Sequence, residues 1–368
     1  MNVLRLIGRI VFLTCWLALP MQAQQLKFGE DKKFKIVQFT DVHWVYNSAD
    51  SEEAGERMNE VLDAEKPDLV IYTGDVIFAK PAKEAMQKAL EPVIKRNIPF
   101  AVTFGNHDDE QDMNRRQLYE FIKGIPGNLT STVEGISGVT NFILPVKASD
   151  GSKDAAVLYV FDSNSYSTLK HIKGYGWVKH DQVQWYIDES KKYTEANGGT
   201  PLPALSFFHI PLPEFHEAVK NEGSFMLGTR KEKACSPEIN TGLFAAMQEA
   251  GDVMGVFVGH DHVNDYAGGY KEWSKLKTLP IGTGNDFAHD LGKQAGDNPF
   301  RINEYLRDLP YVYVNGQKQR FLNGIGYGID GYCCEVGDEL RKKSDKPVNY
   351  TSIAIKGLLF FFHPTNAR

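Results

Sequence analysis

Residues able to bind metals or move protons recur in short clusters along the sequence: Asp41 and His43; Asp75; Asn106, His107 and Asp108; His209; and His260, Asp261 and His262. Five of the ten histidines belong to this set. Imidazole, carboxylate and amide oxygen together suit borderline divalent metals such as zinc, manganese or iron. The set is too large for one tetrahedral ion and fits two ions sharing a carboxylate. Two metals about 3.5–4 Å apart can bind both an attacking oxygen and a phosphate oxygen, the clamp needed for in-line displacement at phosphorus. Taken singly, most of these clusters have plainer readings. Asp41-x-His43 suits a turn or a helix N-cap, Gly74-Asp75 a turn, and His209 a core histidine. Gly105-Asn106-His107-Asp108 says more, because a plain turn does not require the histidine.

What binds the clusters together is their placement on the chain. The pattern is repeated strand, loop, helix. Phe34 to Thr40, Leu69 to Thr73, Phe100 to Phe104, Val157 to Phe161, Ala204 to Phe208 and Val253 to Val258 read as short apolar strands. Helices are expected over Ser51 to Glu65, Pro81 to Arg96 and about Asp181 to Tyr193, from apolar residues at helical spacing. The alternation predicts an α/β fold with strands buried between helical layers. Asp41, Asp75, Asn106, His209 and His260 each stand at or just past the C-terminal end of a strand, the edge at which α/β sheets bind ligands.

In this order the motifs Asp41-x-His43, Gly74-Asp75, Gly105-Asn106-His107-Asp108, His209 and Gly259-His260-Asp261-His262 resemble those of the calcineurin-like metallophosphoesterases, over roughly 33–266. Phe208-His209-Ile210-Pro211 and Cys235-Ser236-Pro237-Glu238 are similar to the purple-acid-phosphatase-like branch. The resemblance implies a β-sheet sandwich flanked by helices and a hydrolase of phosphoric esters, a phosphomonoesterase using a dinuclear metal centre and a bridging hydroxide. It implies that Asp41, His43 and His262 hold one metal and Asn106, His209 and His260 the other, with Asp75 bridging. His107 would stabilise phosphoryl charge and protonate the leaving group, and Asp108 would orient His107. True purple acid phosphatases carry a tyrosine three residues after the bridging aspartate; Phe78 stands there, so no tyrosinate chromophore is expected.

Composition narrows the partners. A net charge of −6 does not favour nucleic acid, and the family resemblance implies a small-molecule phosphate ester as partner. Arg5 and Arg9, the apolar run Ile10 to Leu19 and Met21-Gln22-Ala23 have the layout of a signal peptide over 1–23, too short to make a stable membrane span, so the protein is expected to be exported, periplasmic or extracellular. Of the four cysteines, Cys15 falls in the leader and Cys333 and Cys334 are adjacent, so no disulfide framework is implied.

Past Tyr266 the strands that would complete the family's second sheet are not recognisable. Leu279 to Ala288 and Phe321 to Asp338 instead resemble diacylglycerol and sphingosine kinase catalytic domains, over roughly 274–366. The glycine-rich Gly-Gly-Asp-Gly phosphate cradle of those kinases is nowhere in the sequence, which argues against kinase activity. The expected organisation is a leader, a metallophosphoesterase domain over 24–268 lacking its closing strands, and an α+β fragment of different origin over 269–368. The competing expectation is an inactive metal-binding chimera whose shortened sheet misplaces His107.

Overall fold

A computed structural model describes residues 25–218, 226–268, 281–283, 311–314 and 317–320. The leader and nearly all of the kinase-like stretch lie outside the described residues. Strands β1 (Ile36–Phe39), β2 (Leu69–Thr73) and β3 (Phe100–Thr103) form a parallel sheet in that order. A second sheet contains β4 (Phe142–Lys147), β5 (Asp154–Val160), β6 (Ala204–Phe207), β8 (Val253–Val258) and β10 (Ile281–Thr283), in the order β10-β8-β6-β5-β4. All its pairings are parallel except β4 with β5. A small antiparallel pair joins β7 (Met226–Thr229) to β9 (Asp265–Gly268). The chain divides into two compact units, Met1–Leu306 and Arg307–Arg368; described in the second is the hairpin β11 (Tyr311–Val314) and β12 (Gln317–Arg320).

Strands buried on both faces should read as apolar runs, and these largely do, with Gln38 in β1 and Ser206 in β6 as buried polar residues. Their period of two still assigns each residue to a layer. Val37, Phe39, Val70, Tyr72, Phe100 and Val102 pack with α1 (Ala49–Glu65), α2 (Ala82–Lys95) and α3 (Arg115–Ile122). Helix α2 buries Ala82, Ala85, Met86, Ala89, Leu90 and Val93, the stripe that its 3.6-residue period places on one side. Ile36, Leu69, Ile71 and Ala101 point the other way and form one core with Phe142, Leu144, Leu158, Val160, Phe207 and Phe257 of the second sheet. On that sheet's outer face, Val157, Tyr159, Val256 and Val258 pack with α4 (His180–Ala196) and α6 (Leu243–Ala250). The α/β sandwich flanked by helices is thus the fold. Sequence periodicity placed the long helices within three residues of their ends, whereas β4, α3, the short α5 (Glu214–Ala218) and α6 went unassigned. Ile281–Thr283, within the stretch read as kinase-like, extends the second sheet beyond β8.

The outer layer of the second sheet is pinned by one buried carboxylate. Asp252, just before β8, accepts the Tyr159 hydroxyl at 3.1 Å, the Tyr186 hydroxyl at 2.5 Å and the Ser190 hydroxyl at 2.7 Å. Burial, and then the Asp252 charge, push both phenols above their ordinary pKa of 10.0. Asp252→Ala should lower stability by about 3 kcal/mol in urea denaturation, since charged hydrogen bonds are lost and buried hydroxyls orphaned. The sign of the pH effect follows from the raised phenols: the unfolded chain ionises first, so stability held below pH 10 falls as pH rises past it. Tyr186→Phe should blunt that alkaline loss.

Candidate metal centre

The site lies where the C-terminal ends of both sheets meet. Asp41 and His43 follow β1, Asp75 follows β2, Asn106 to Asp108 follow β3, His209 follows β6 and His260 to His262 follow β8. The chain must turn sharply there, and Asp41, His43, Asp75 and His260 take φ of 52°, 48°, 49° and 81°, left-handed values that cost a non-glycine residue about 1–3 kcal/mol each. Cross-loop hydrogen bonds hold them: Asp41 N donates to Gly74 O at 3.0 Å and His43 N to Asp75 O at 2.8 Å.

Two groups of side chains converge. In the first, His43 Nε2 lies 3.1 Å from His262 Nε2 and 3.5 Å from Asp75 Oδ2, and His262 Nε2 lies 3.3 Å from Asp41 Oδ1. In the second, His209 Nε2 is 3.1 Å from Asp75 Oδ2 and 3.3 Å from His260 Nδ1. Each group, Asp41–His43–Asp75–His262 and Asp75–His209–His260, has its ligand atoms within 4.8 Å of one another, and Asp75 is common to both. Asp75 Oδ2, Asn106 Oδ1 and His260 Nε2 are buried without a hydrogen-bond partner, which few native polar atoms are. Oxygen and imidazole donors in two clusters sharing a carboxylate fit a pair of borderline divalent cations.

Asp41, Asp75 and His209 are aimed by hydrogen bonds to backbone. Asp41 accepts His260 N at 3.0 and 2.9 Å and the Thr40 hydroxyl at 2.6 Å; Asp75 Oδ1 accepts His107 N at 2.7 Å. His209 spends Nδ1 on Thr73 O at 2.8 Å, which leaves Nε2 for the site. That carbonyl contact fixes the ring, as a ligating histidine needs.

The electrostatics are those of a site made for cations. Burial raises the Asp75 carboxyl, but His209, the His107 N–H and His43 outweigh it and hold Asp75 well below the usual range. Burial opposes a charged His209, yet Asp75 and Asp41 push it up to about 9. Burial and the His209 charge push His260 down to about 3. A proton on His209 would offset one of the two carboxylate charges.

One expected role is corrected. Asp108 does not orient His107: its oxygens accept Gly105 N at 2.7 Å, Asp75 N at 2.9 Å, Val76 N at 2.8 Å and Ile77 N at 3.0 Å. It is a buried clamp joining the β2 and β3 loops, and all its acceptor directions point to backbone. His107 Nδ1 instead lies 2.8 Å from Glu110 Oε2. Sequence reading also missed Arg115, which donates to Gly105 O at 2.7 Å, and Tyr175, whose ring meets His260 edge-on at 4.2 Å. Neither lies in a motif; Glu110, three residues after His107, was the one legible signal. Phe78 is half-exposed, with its ring 5.2 Å from that of His107.

Glycine is required where loops touch. A Cβ on Gly105 would overlap the Asp75 carboxylate, and one on Gly259 would overlap Thr40 Oγ1 and Asp41 Oδ2. Gly259→Ala should leave the far-UV circular dichroism unchanged and lower Mn²⁺ affinity by about 10–100-fold, the usual cost of disturbing the residues behind a metal ligand, as measured by calorimetry.

The calcineurin-like phosphoesterase family matches residues 34–264. The Arabidopsis thaliana protein named "Probable inactive purple acid phosphatase 29" is 32% identical, over 78% of this chain and 81% of its own. The Saccharomyces cerevisiae "Phosphatase DCR2" is 34% identical over 66% of this chain and 46% of its own. A dimetal phosphatase structure from Danio rerio aligns over 68% of this chain and 86% of its own, at 13% identity and a TM-score of 0.49. By the family match over residues 34–264 and the 32% identity to the plant relative, the chain belongs to the calcineurin-like phosphoesterase family.

Proposed function

We propose that the protein is a metal-dependent phosphomonoesterase acting on a small-molecule phosphate ester. The observation that carries this reading is the shared, buried Asp75 between two clusters of ligand atoms. Asp41, His43 and His262 would hold one ion, Asn106, His209 and His260 the other, and Asp75 both. Two divalent cations of zinc, manganese or iron type would neutralise phosphoryl charge and lower the pKa of a water nucleophile. His107, whose ring lies 5.1 Å from that of His43 at the same rim, reaches the bound ester and hands a proton to the leaving oxygen. Phe78 cannot supply a phenolate ligand, so the loaded protein should be colourless at visible wavelengths. The basic and apolar pattern of the leader supports export, and no helix among the described residues is long and apolar enough to cross a membrane. The kinase-like tail has no part in the reaction.

A second reading, an inactive metal-binding protein, is favoured by one observation: a plant relative carries "inactive" in its name. Hydrolysis of p-nitrophenyl phosphate with added Mn²⁺ or Zn²⁺ separates the two. His107→Ala should cost about 10²–10⁴-fold in kcat, the typical worth of a positioned general acid. Asp75→Ala should abolish turnover. Unchanged rates in both variants would refute the assignment, and two bound ions without turnover on several esters would establish the second reading.

A further inference from the structure

His107 does not stand alone on its loop. Its Nδ1 contacts Glu110 Oε2 at 2.8 Å, while Glu110 Oε1 accepts the Tyr166 hydroxyl at 2.5 Å. The Tyr166 oxygen in turn accepts Asn106 Nδ2 at 3.1 Å. Donor and acceptor roles along this chain are fixed by chemistry. An ionised carboxylate only accepts, so both Tyr166 and His107 Nδ1 must donate to it; an amide nitrogen only donates. Asn106 therefore keeps Oδ1 as its remaining polar atom, and that atom is buried without a hydrogen-bond partner.

We propose that Glu110, acting with Tyr166, is the positioning residue of this site. One of its oxygens fixes the His107 ring with a proton on Nδ1, and the other, through the Tyr166 hydroxyl, turns the Asn106 amide so that oxygen is presented for metal binding. This rests on the proposed phosphoesterase reading for its catalytic half only. As water forms the new P–O bond and the ester P–O bond breaks, His107, held through Nδ1–H by Glu110, gives its Nε2 proton to the leaving oxygen, and both protons of the water stay with the product phosphate.

The same carboxylate thus couples the proton donor to a metal ligand. Mere loop cementing explains the cluster poorly. The Glu110 side chain is 29% exposed and Tyr166 43% exposed, and solvated polar contacts of this kind add little to stability.

Glu110→Gln keeps size and replaces one acceptor oxygen with a donor. On an alkyl phosphate, whose leaving oxygen needs a proton, it should cost about 10²-fold in kcat, and on 2,4-dinitrophenyl phosphate, which leaves unaided, it should cost little. In the metal-free protein, ¹⁵N spectra of the His107 ring should show the Nδ1–H tautomer in wild type and its loss in Glu110→Gln. Tyr166→Phe should leave that tautomer in place and weaken one of two Mn²⁺ sites by about tenfold in calorimetry.

Equal slowing of both esters with an unchanged His107 tautomer would overturn the proposal, as would undisturbed Mn²⁺ binding in Tyr166→Phe. Should wild type hydrolyse neither ester, the phosphoesterase reading falls and the catalytic half with it. The tautomer and metal measurements then still decide whether Glu110 positions the two side chains.

Discussion

A carboxylate placed out of water costs several kcal/mol unless donors or cations surround it, and this protein collects three of them at one sheet edge. Asp108 is fully buried and met by four backbone N–H groups. Burial and the neighbouring Asp75 charge push it up to about 7 against the pull of those donors. Asp75 has one oxygen satisfied by the His107 N–H and the other turned to His209 and His43. Asp41 is held by His260 N and by Thr40. The three are graded: one is satisfied by backbone, one half-satisfied, and the ligand atoms that converge on the last two are those left for a cation.

That grading depends on two sheets meeting at a fixed separation. Apolar packing between them ends just below the site, where polar bonds take over. Gln38 donates to Thr73 Oγ1 at 2.6 Å and to Val258 O at 3.1 Å, crossing from β1 to the end of β8. Thr103 donates to Phe161 O at 2.7 Å, and His209 reaches Thr73 O. In a low-dielectric interior such bonds are strong and directional, and an unpaired member would be costly. Unlike the oily layer beneath, this seam permits only one register of β1, β2 and β3 against β5, β6 and β8. His209 belongs to both structures: its Nδ1 closes the seam and its Nε2 opens the site.

Periodicity made the scaffold readable. Val37 and Phe39 against Ile36, or Val70 and Tyr72 against Leu69 and Ile71, alternate between layers as a period of two demands. Residues following such runs must fall at one edge, and Asp41, Asp75, His209 and His260 are found there. What stayed illegible was contact between elements. Asp108 sits beside His107 in sequence, and adjacency suggested a pair, but neighbours in a turn point apart; the carboxylate faces inward to the β2 loop while His107 faces Glu110. Strand β4 alternates buried and half-buried residues, yet Pro145 in its middle disguises it, tolerated because β4 is an edge strand.

The site's two halves are held unequally, and backbone explains why. Asp75, Asn106 and His209 are buried, and their loops are tied by Asp108, Arg115 and the seam. His43 and His262 are more open, at 22% and 56% side-chain exposure, and meet each other through ring nitrogens that lack a carbonyl brace of the kind His209 has. Their alignment comes from strained backbone instead: His43 at φ 48° and His260 at 81°, with Gly259 N bonded to His209 O at 3.0 Å. Strain of that order persists only where surrounding bonds over-determine the chain. The carboxylates are therefore set by the fold itself, whereas His43 and His262 are aligned by contact with each other and with Asp75 and Asp41.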